Sequence, residues 1–151
     1  MNSNRKILIA SDHAGFVMKS SVIEYLAKQG DSLRGSYDFV DLGTDGLESV
    51  DYPDYARKLC EAITEGNLGI LICGSGVGMS IAANRFSHIR AALCTDSTTA
   101  RLSRQHNDAN VLCIGARIVG IEVALEMITA FIATPFEGGR HQRRVEKINA
   151  N

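Results

Sequence analysis

No run of 18 apolar residues occurs in this 151-residue chain, so nothing in it is long enough to span a bilayer as a helix. An excess of one charge is missing too. Sixteen Lys and Arg stand against seventeen Asp and Glu, a formal net charge of −1. Nucleic-acid-binding domains ordinarily carry a basic face, so nucleic acid is not the expected partner. Arg140-His141-Gln142-Arg143-Arg144 is a local exception. The chain has no repeat, no low-complexity segment and no interdomain linker. Met1 to Lys6 lack the apolar region and cleavage site of a signal peptide. No Cys-x-x-Cys occurs, and Cys60, Cys73, Cys94 and Cys113 are widely spaced. That spacing argues against a disulfide scaffold and for a reducing, cytoplasmic setting. His13, His88, His106 and His141 show no zinc-ligand spacing with the cysteines, and no metal is expected.

What is present is an ordinary globular composition, 45 % apolar and 22 % charged, long enough for one domain over residues 1–151 with a real core. Strand and helix patterns alternate throughout. Strand-like runs cover Lys6–Ala10, Asp38–Leu42, Leu68–Cys73, Ile89–Thr95 and Asn110–Ile114. Helical patterns cover Ala14–Gln29, Pro53 to about Glu65, Gly78–Phe86, Ser97–Gln105, Ile118–Ala133 and Gly139–Asn149. Five strands separated by helices predict an α/β fold. It is a three-layer, Rossmann-like sandwich around a five-stranded parallel sheet. Ligands in such folds sit beyond the carboxyl ends of the strands. Asp12-His13, Cys73 with its glycines, Asp96 and Arg117 each follow a strand. The sequence reading therefore gathers the distinctive polar residues, His106 included, on one rim. Gly43–Tyr52 is the longest irregular stretch and a candidate lid.

The densest chemistry is Cys73-Gly74-Ser75-Gly76-Val77-Gly78. Glycines at alternate positions let the backbone turn tightly and aim several N–H groups at one spot, which suits an anion. Oriented N–H groups beside a thiol favour its thiolate. A buried structural cysteine at a strand end is the bland alternative. A nucleotide site is another, with Asp96 placed where a ribose-binding acid would stand. No lysine follows the glycines, however, and Met79 breaks G-x-G-x-x-G. Arg140 and Arg144 are spaced i, i+4 and can share a helical face, as a phosphate clamp or as a solvated basic surface. Asp12 can be a helix cap, His106 a complement to a helix dipole, and Arg117 a surface residue.

Several segments together resemble the type B ribose-5-phosphate isomerase family, which includes the galactose-6-phosphate isomerase subunits. They are Ser11 to Phe16, Asp51-Tyr52-Pro53, Leu71 to Gly78, Ile81 to Arg85, Ser103 to Asp108 and Glu137 to Val145. The resemblance covers essentially the whole chain. It implies cofactor-free interconversion of ribose 5-phosphate and ribulose 5-phosphate, with Cys73 as the base that moves a proton between C2 and C1 through an enediolate. It implies that Gly74, Gly76, Val77 and Gly78 stabilise the oxyanion and that Ser75 assists proton transfer. His106 opens the furanose ring, helped by Asp12. His13, Arg117, Arg140 and Arg144 hold the phosphate, and Asn107 contacts a sugar hydroxyl. One branch of the family replaces the cysteine by a glutamate after the glycine loop. Here that position is Met79, which takes no proton. The resemblance also implies a homodimer with each site built from two subunits, and dimers that can pair into a tetramer. The apolar surplus of Ile118–Ala133 agrees with a shared surface. Gly30 to Gly35 departs from the family pattern and is expected at the surface. A six-carbon substrate, allose 6-phosphate or galactose 6-phosphate, is the alternative reading.

Overall fold

Successive side chains of a strand leave on opposite faces. In β1 (Arg5–Ser11) both sets are apolar, so both faces must be covered. The computed structural model describes residues 5–29 and 37–150 and shows how. Ile7 and Ile9 join a core built with α1 (Phe16–Lys28), α4 (Ser97–Asn107) and α5 (Ile121–Ala133). Leu8 and Ala10 join a second core on the other face, with α2 (Tyr52–Ala62) and α3 (Val77–Ala83). The same alternation splits Ile70 and Ile72 from Leu71 and Cys73 in β3 (Leu68–Cys73). The other strands are β2 (Tyr37–Asp41), β4 (Ala91–Leu93) and β5 (Val111–Gly115). All pairings are parallel, in the order β2-β1-β3-β5-β4. A sixth described helix, α6 (Arg140–Glu146), packs on α4. The three-layer parallel-sheet expectation is met, and the expected bounds of β3 agree residue for residue.

Departures from the expected boundaries have local causes. β4 keeps three residues because it is an edge strand with β5 alone beside it. Buried Ile89 and Cys94 flank it outside the ladder. α3 stops at Ala83, where Arg85 and Phe86 donate to carbonyls three residues back. α5 begins at Ile121, since Ile118 and Val119 turn back onto Gly115 and Gly120 caps the helix with an extended backbone. Most of the α5 apolar surplus is used at home. Met127, Ile128, Phe131 and Ile132 are buried, which leaves Ile118, Ile121 and Val123 exposed. Gly30 to Gly35 lies outside the described residues.

Among the described residues, one charged side chain is fully buried. Lys19, on α1, reaches Asp41 at the end of β2 with a 2.6 Å contact. The same Asp41 oxygen accepts the Gly43 N–H at 2.9 Å. The ion pair thus fixes the start of the chain segment that follows β2.

A close backbone approach beside the strand ends depends on Gly15. A Cβ there would lie 2.5 Å from the Ile72 carbonyl oxygen, which is backbone and cannot swing aside. Gly15→Ala is expected to lower stability by about 1–3 kcal/mol and to impair activity. Gly120→Ala, where a Cβ meets nothing within 4 Å, is expected to be neutral. Denaturant melts and turnover of both variants check this.

Candidate active site

From β1 the chain crosses to β2 on one side, and from β3 it crosses toward β4 on the other. The connections after β1 and β3 therefore diverge and leave a crevice between the two strand ends, where open α/β sheets bind ligands. Asp12 follows β1 and Cys73 ends β3. The Asp12 N–H donates to the Ile72 carbonyl at 3.2 Å, and the Asp12 carboxylate accepts the Gly15 N–H at 3.1 Å. Asp12 is not the N-cap of α1, which is Gly15; it closes the turn before the helix and does so buried in the crevice.

The segment after β2 folds over the same end. Ser11 exchanges backbone hydrogen bonds with it, its N–H donating to the Gly43 carbonyl and its carbonyl accepting the Thr44 N–H. The Val50 N–H donates to His13 Nδ1 at 3.1 Å. With Nδ1 accepting, the neutral ring carries its proton on Nε2, which leaves a donor free for an anion. The candidate lid is thus held near both ends, at Gly43–Thr44 and at Val50, while residues 45–49 between them are largely exposed.

Cys73 stands apart from the other thiols. Its Sγ accepts the Gly76 N–H at 3.2 Å. Gly76 adopts φ +78°, a left-handed conformation that costs glycine little. That conformation turns the loop back so the N–H faces the sulfur. Burial pushes the Cys60 and Cys94 thiols up to about 11, and the Cys113 thiol well above its ordinary value. Those three are held as inert thiols. Arg117 lies against Gly74, where a Cβ would come within 3.2 Å of its guanidinium, and its own N–H donates to the Gly74 carbonyl. The Ser75 hydroxyl is exposed and accepts the Val77 N–H at 3.2 Å. Gly78 is covered by the Tyr52 ring. Tyr52 and Thr44 belong to this end of the molecule and escaped the sequence reading. The only trace of Tyr52 there was its place in Asp51-Tyr52-Pro53.

The remaining candidates are elsewhere, which corrects the single-rim expectation. α4 leaves the carboxyl edge after β4 and runs back, so its last turn lies where β5 begins. There Asn110 N–H meets the Arg90 carbonyl, and Val111 pairs with Gly69 and Ala91. Cys73 pairs with Gly115 at the other end of β5. The five residues of β5 separate the two levels by about 13 Å at 3.3 Å per residue. His106 and Asn107 are at the lower level. With His141, Arg144, Val145 and Ile148 they line a cavity of about 300 Å³. Arg140 and Arg144 are exposed and make no ion pair among the described residues. His13 and Arg117 are therefore not their neighbours within one chain.

At this lower end the His106 and His141 rings stack, with centroids 4.4 Å apart and planes 13° from parallel. Glu137 lies 3.6 Å from His141 Nε2. His106, Glu137 and His141 each bring a metal-ligating atom within 4.8 Å of the others, a grouping invisible in the sequence spacing. Nearly parallel rings point their in-plane lone pairs side by side and not at a common centre. The geometry favours a stacked pair over a metal site.

The nucleotide-site alternative loses its footing. The Asp96 carboxylate caps α4 by accepting the Thr99 N–H at 2.7 Å, and that bond holds its pKa below the ordinary value. It is engaged locally and not poised for a ribose. Met79 is fully buried in the core beneath the glycine loop.

A sequence profile of the ribose/galactose isomerase family matches residues 7–148. The chain is 46 % identical to ribose-5-phosphate isomerase B of Escherichia coli over 148 residues, 97 % of this chain and 95 % of that protein. It superposes on a ribose 5-phosphate isomerase of Thermotoga maritima with TM-score 0.89 at 50 % identity, covering 96 % of this chain and 97 % of the other. A type B ribose 5-phosphate isomerase of Trypanosoma brucei gives TM-score 0.90 at 47 % identity, with 97 % and 98 % covered. A crevice with one backbone-bonded cysteine, on a fold shared over nearly its full length, places this chain in the ribose/galactose isomerase family.

Proposed function

We propose that the protein interconverts ribose 5-phosphate and ribulose 5-phosphate, in the manner of the relatives it resembles. The observation that carries the reading is Cys73, a nucleophilic side chain at the sheet's switch point with a backbone donor on its sulfur. In the open-chain aldose the Cys73 thiolate removes the proton from C2. The C2–H electron pair forms the C1=C2 bond, and negative charge gathers on O1. The N–H groups of the Gly74–Gly78 loop receive that charge; such preorganised donors supply the largest share of stabilisation in reactions of this kind. The thiol then returns the proton to C1, while the O2 proton passes toward O1 with help from the Ser75 hydroxyl. No cofactor enters the balance. Met79, sealed in the core, takes no part.

Ring opening and phosphate binding draw on both ends of the molecule. His106 exchanges protons with the anomeric hydroxyl and ring oxygen, a task suited to an imidazole. Asp12 assists from the crevice, and Asn107 meets a sugar hydroxyl. His13, Arg117, Arg140 and Arg144 clamp the phosphate. Cys73 and His106 sit a strand's length apart in one chain, so one sugar phosphate meets both across two copies. A two-fold axis perpendicular to the strands sets the carboxyl edge of one copy beside the opposite edge of the other, and does so twice. Exposed apolar residues supply a surface for it. Val77 and Ile81 of α3 lie near Leu93 on the edge strand, and Ile148 lies near the His106 end. The minimal working unit is then a homodimer of this single-domain chain, which can pair further. Four free buried cysteines suit the cytoplasm, and no described helix is long and apolar enough to cross a membrane.

The direct test is a coupled assay with ribose 5-phosphate, allose 6-phosphate and galactose 6-phosphate. The five-carbon substrate is expected to give the highest kcat/KM. A clear preference for a six-carbon phosphate would move the reading to that substrate. Cys73→Ala is expected to abolish turnover and also proton exchange at C1 of ribulose 5-phosphate, leaving the fold intact. Iodoacetamide is expected to inactivate the wild type, with ribose 5-phosphate protecting. An active Cys73→Ala enzyme contradicts the mechanism. Arg140→Ala or Arg144→Ala is expected to raise KM strongly, and unphosphorylated ribose to be a very poor substrate; similar kcat/KM for ribose and ribose 5-phosphate would refute the clamp.

A further inference from the structure

α6 is mostly exposed, Val145 is half-buried, and the one buried residue is a histidine. His141 is 7 % exposed and is the only buried side chain of the helix. An apolar side chain would fill such a position without the cost of burying ring nitrogens. The imidazole lies flat on His106, centroids 4.4 Å apart. The backbone holds the two in register. The Glu137 N–H donates to the carbonyl of Gln105, the residue before His106, at 3.1 Å, and the His141 N–H closes the intervening turn on the Gly138 carbonyl. The loop that carries His141 is therefore fastened to the turn that carries His106.

The charges around His141 are His106 on α4, Glu137 on the preceding loop, and Arg140 and Arg144 on α6 itself. Loss of water around the ring is the first cause that lowers the His141 pKa; His106 and the two arginines act in the same direction, and Glu137 opposes them. These causes together favour the neutral form of the His141 ring.

We propose that His141 is a positioning residue for ring opening. Its neutral ring is a flat wall that fixes the plane of His106 and leaves His106 alone to exchange protons with the sugar. This rests on His106 being the ring-opening group. A wall needs shape and neutrality and no titratable nitrogen, which separates it from a second acid–base group or a phosphate ligand.

The test compares full-length His141→Ala and His141→Phe in two reactions. One is turnover of ribose 5-phosphate, which must pass through ring opening. The other is solvent exchange at C1 of ribulose 5-phosphate, which forms no furanose because its C5 oxygen is phosphorylated. His141→Ala is expected to lower forward kcat by about tenfold or more, with exchange and the KM for ribose 5-phosphate changed by less than about twofold. His141→Phe is expected to recover most of the forward rate, which a requirement for a ring nitrogen does not allow. Phenylalanine no better than alanine, unchanged forward turnover in His141→Ala, or an equal loss in both reactions each overturns the proposal. His106→Asn, measured alongside, separates the two levels. Equal loss in both reactions there defeats the ring-opening role of His106 itself. Selective loss there, with His141→Ala forward turnover intact, defeats only the wall.

Discussion

The geometry of the crevice depends on how closely the turn after β1 can lie against the end of β3. Gly15 permits a backbone approach that any side chain would block, and the Asp12 N–H bonds to the Ile72 carbonyl across the gap. That contact holds Asp12, with His13 following it, at the end of β3 where Cys73 stands. The Lys19–Asp41 pair and the Gly43–Ser11–Thr44 backbone bonds then carry the segment after β2 to the same place, where Val50 orients His13. Three connections from three strands are locked to one another by backbone groups, with few side chains involved. The crevice is accordingly rigid before any ligand arrives, which a site that must receive developing charge requires.

The second constraint is directional. A parallel sheet returns its chain through helices that run against the strands, so each crossover helix starts at the carboxyl edge and ends at the opposite one. α4 obeys this and carries His106 away from Cys73. Under the proposed chemistry the fold holds half of the site at each end, and association completes it. The division also sorts the work. The carboxyl edge holds the carbon acid–base group and its oxyanion donors, and the opposite edge holds ring opening and two of the arginines.

The sheet was readable in the sequence because its strands are short apolar runs cut by glycine and polar residues; Leu68–Cys73 is buried at every position and was found with its bounds unchanged. Cys73 was readable for the same reason, as the polar end of an apolar run followed by glycines. The expectation that the polar residues share one rim failed for His106 and Asn107, and Arg140 and Arg144 lie with them, away from His13 and Arg117. The reading followed the order of motifs along the chain and overlooked the reversal that a crossover helix imposes. The His106–His141 stack was not legible either. It joins residues 35 positions apart, and His141 reads in sequence as one member of a basic run, although it is buried and its neighbours are not. Tyr52 was hidden similarly, since its partner is a glycine with no side chain to suggest a contact.

The claim that one site takes residues from two chains is tested most directly by mixing two inactive variants. Cys73→Ala and His106→Asn are unfolded, refolded together in equal amounts and assayed with ribose 5-phosphate, and mixed dimers are confirmed by mass spectrometry. Half of the dimers then pair the two variants, and each of these holds one site with both residues intact. The account predicts recovery of about a quarter of wild-type activity. A mixture that contains these dimers and stays inactive would place Cys73 and His106 in the same chain's site and contradict the account.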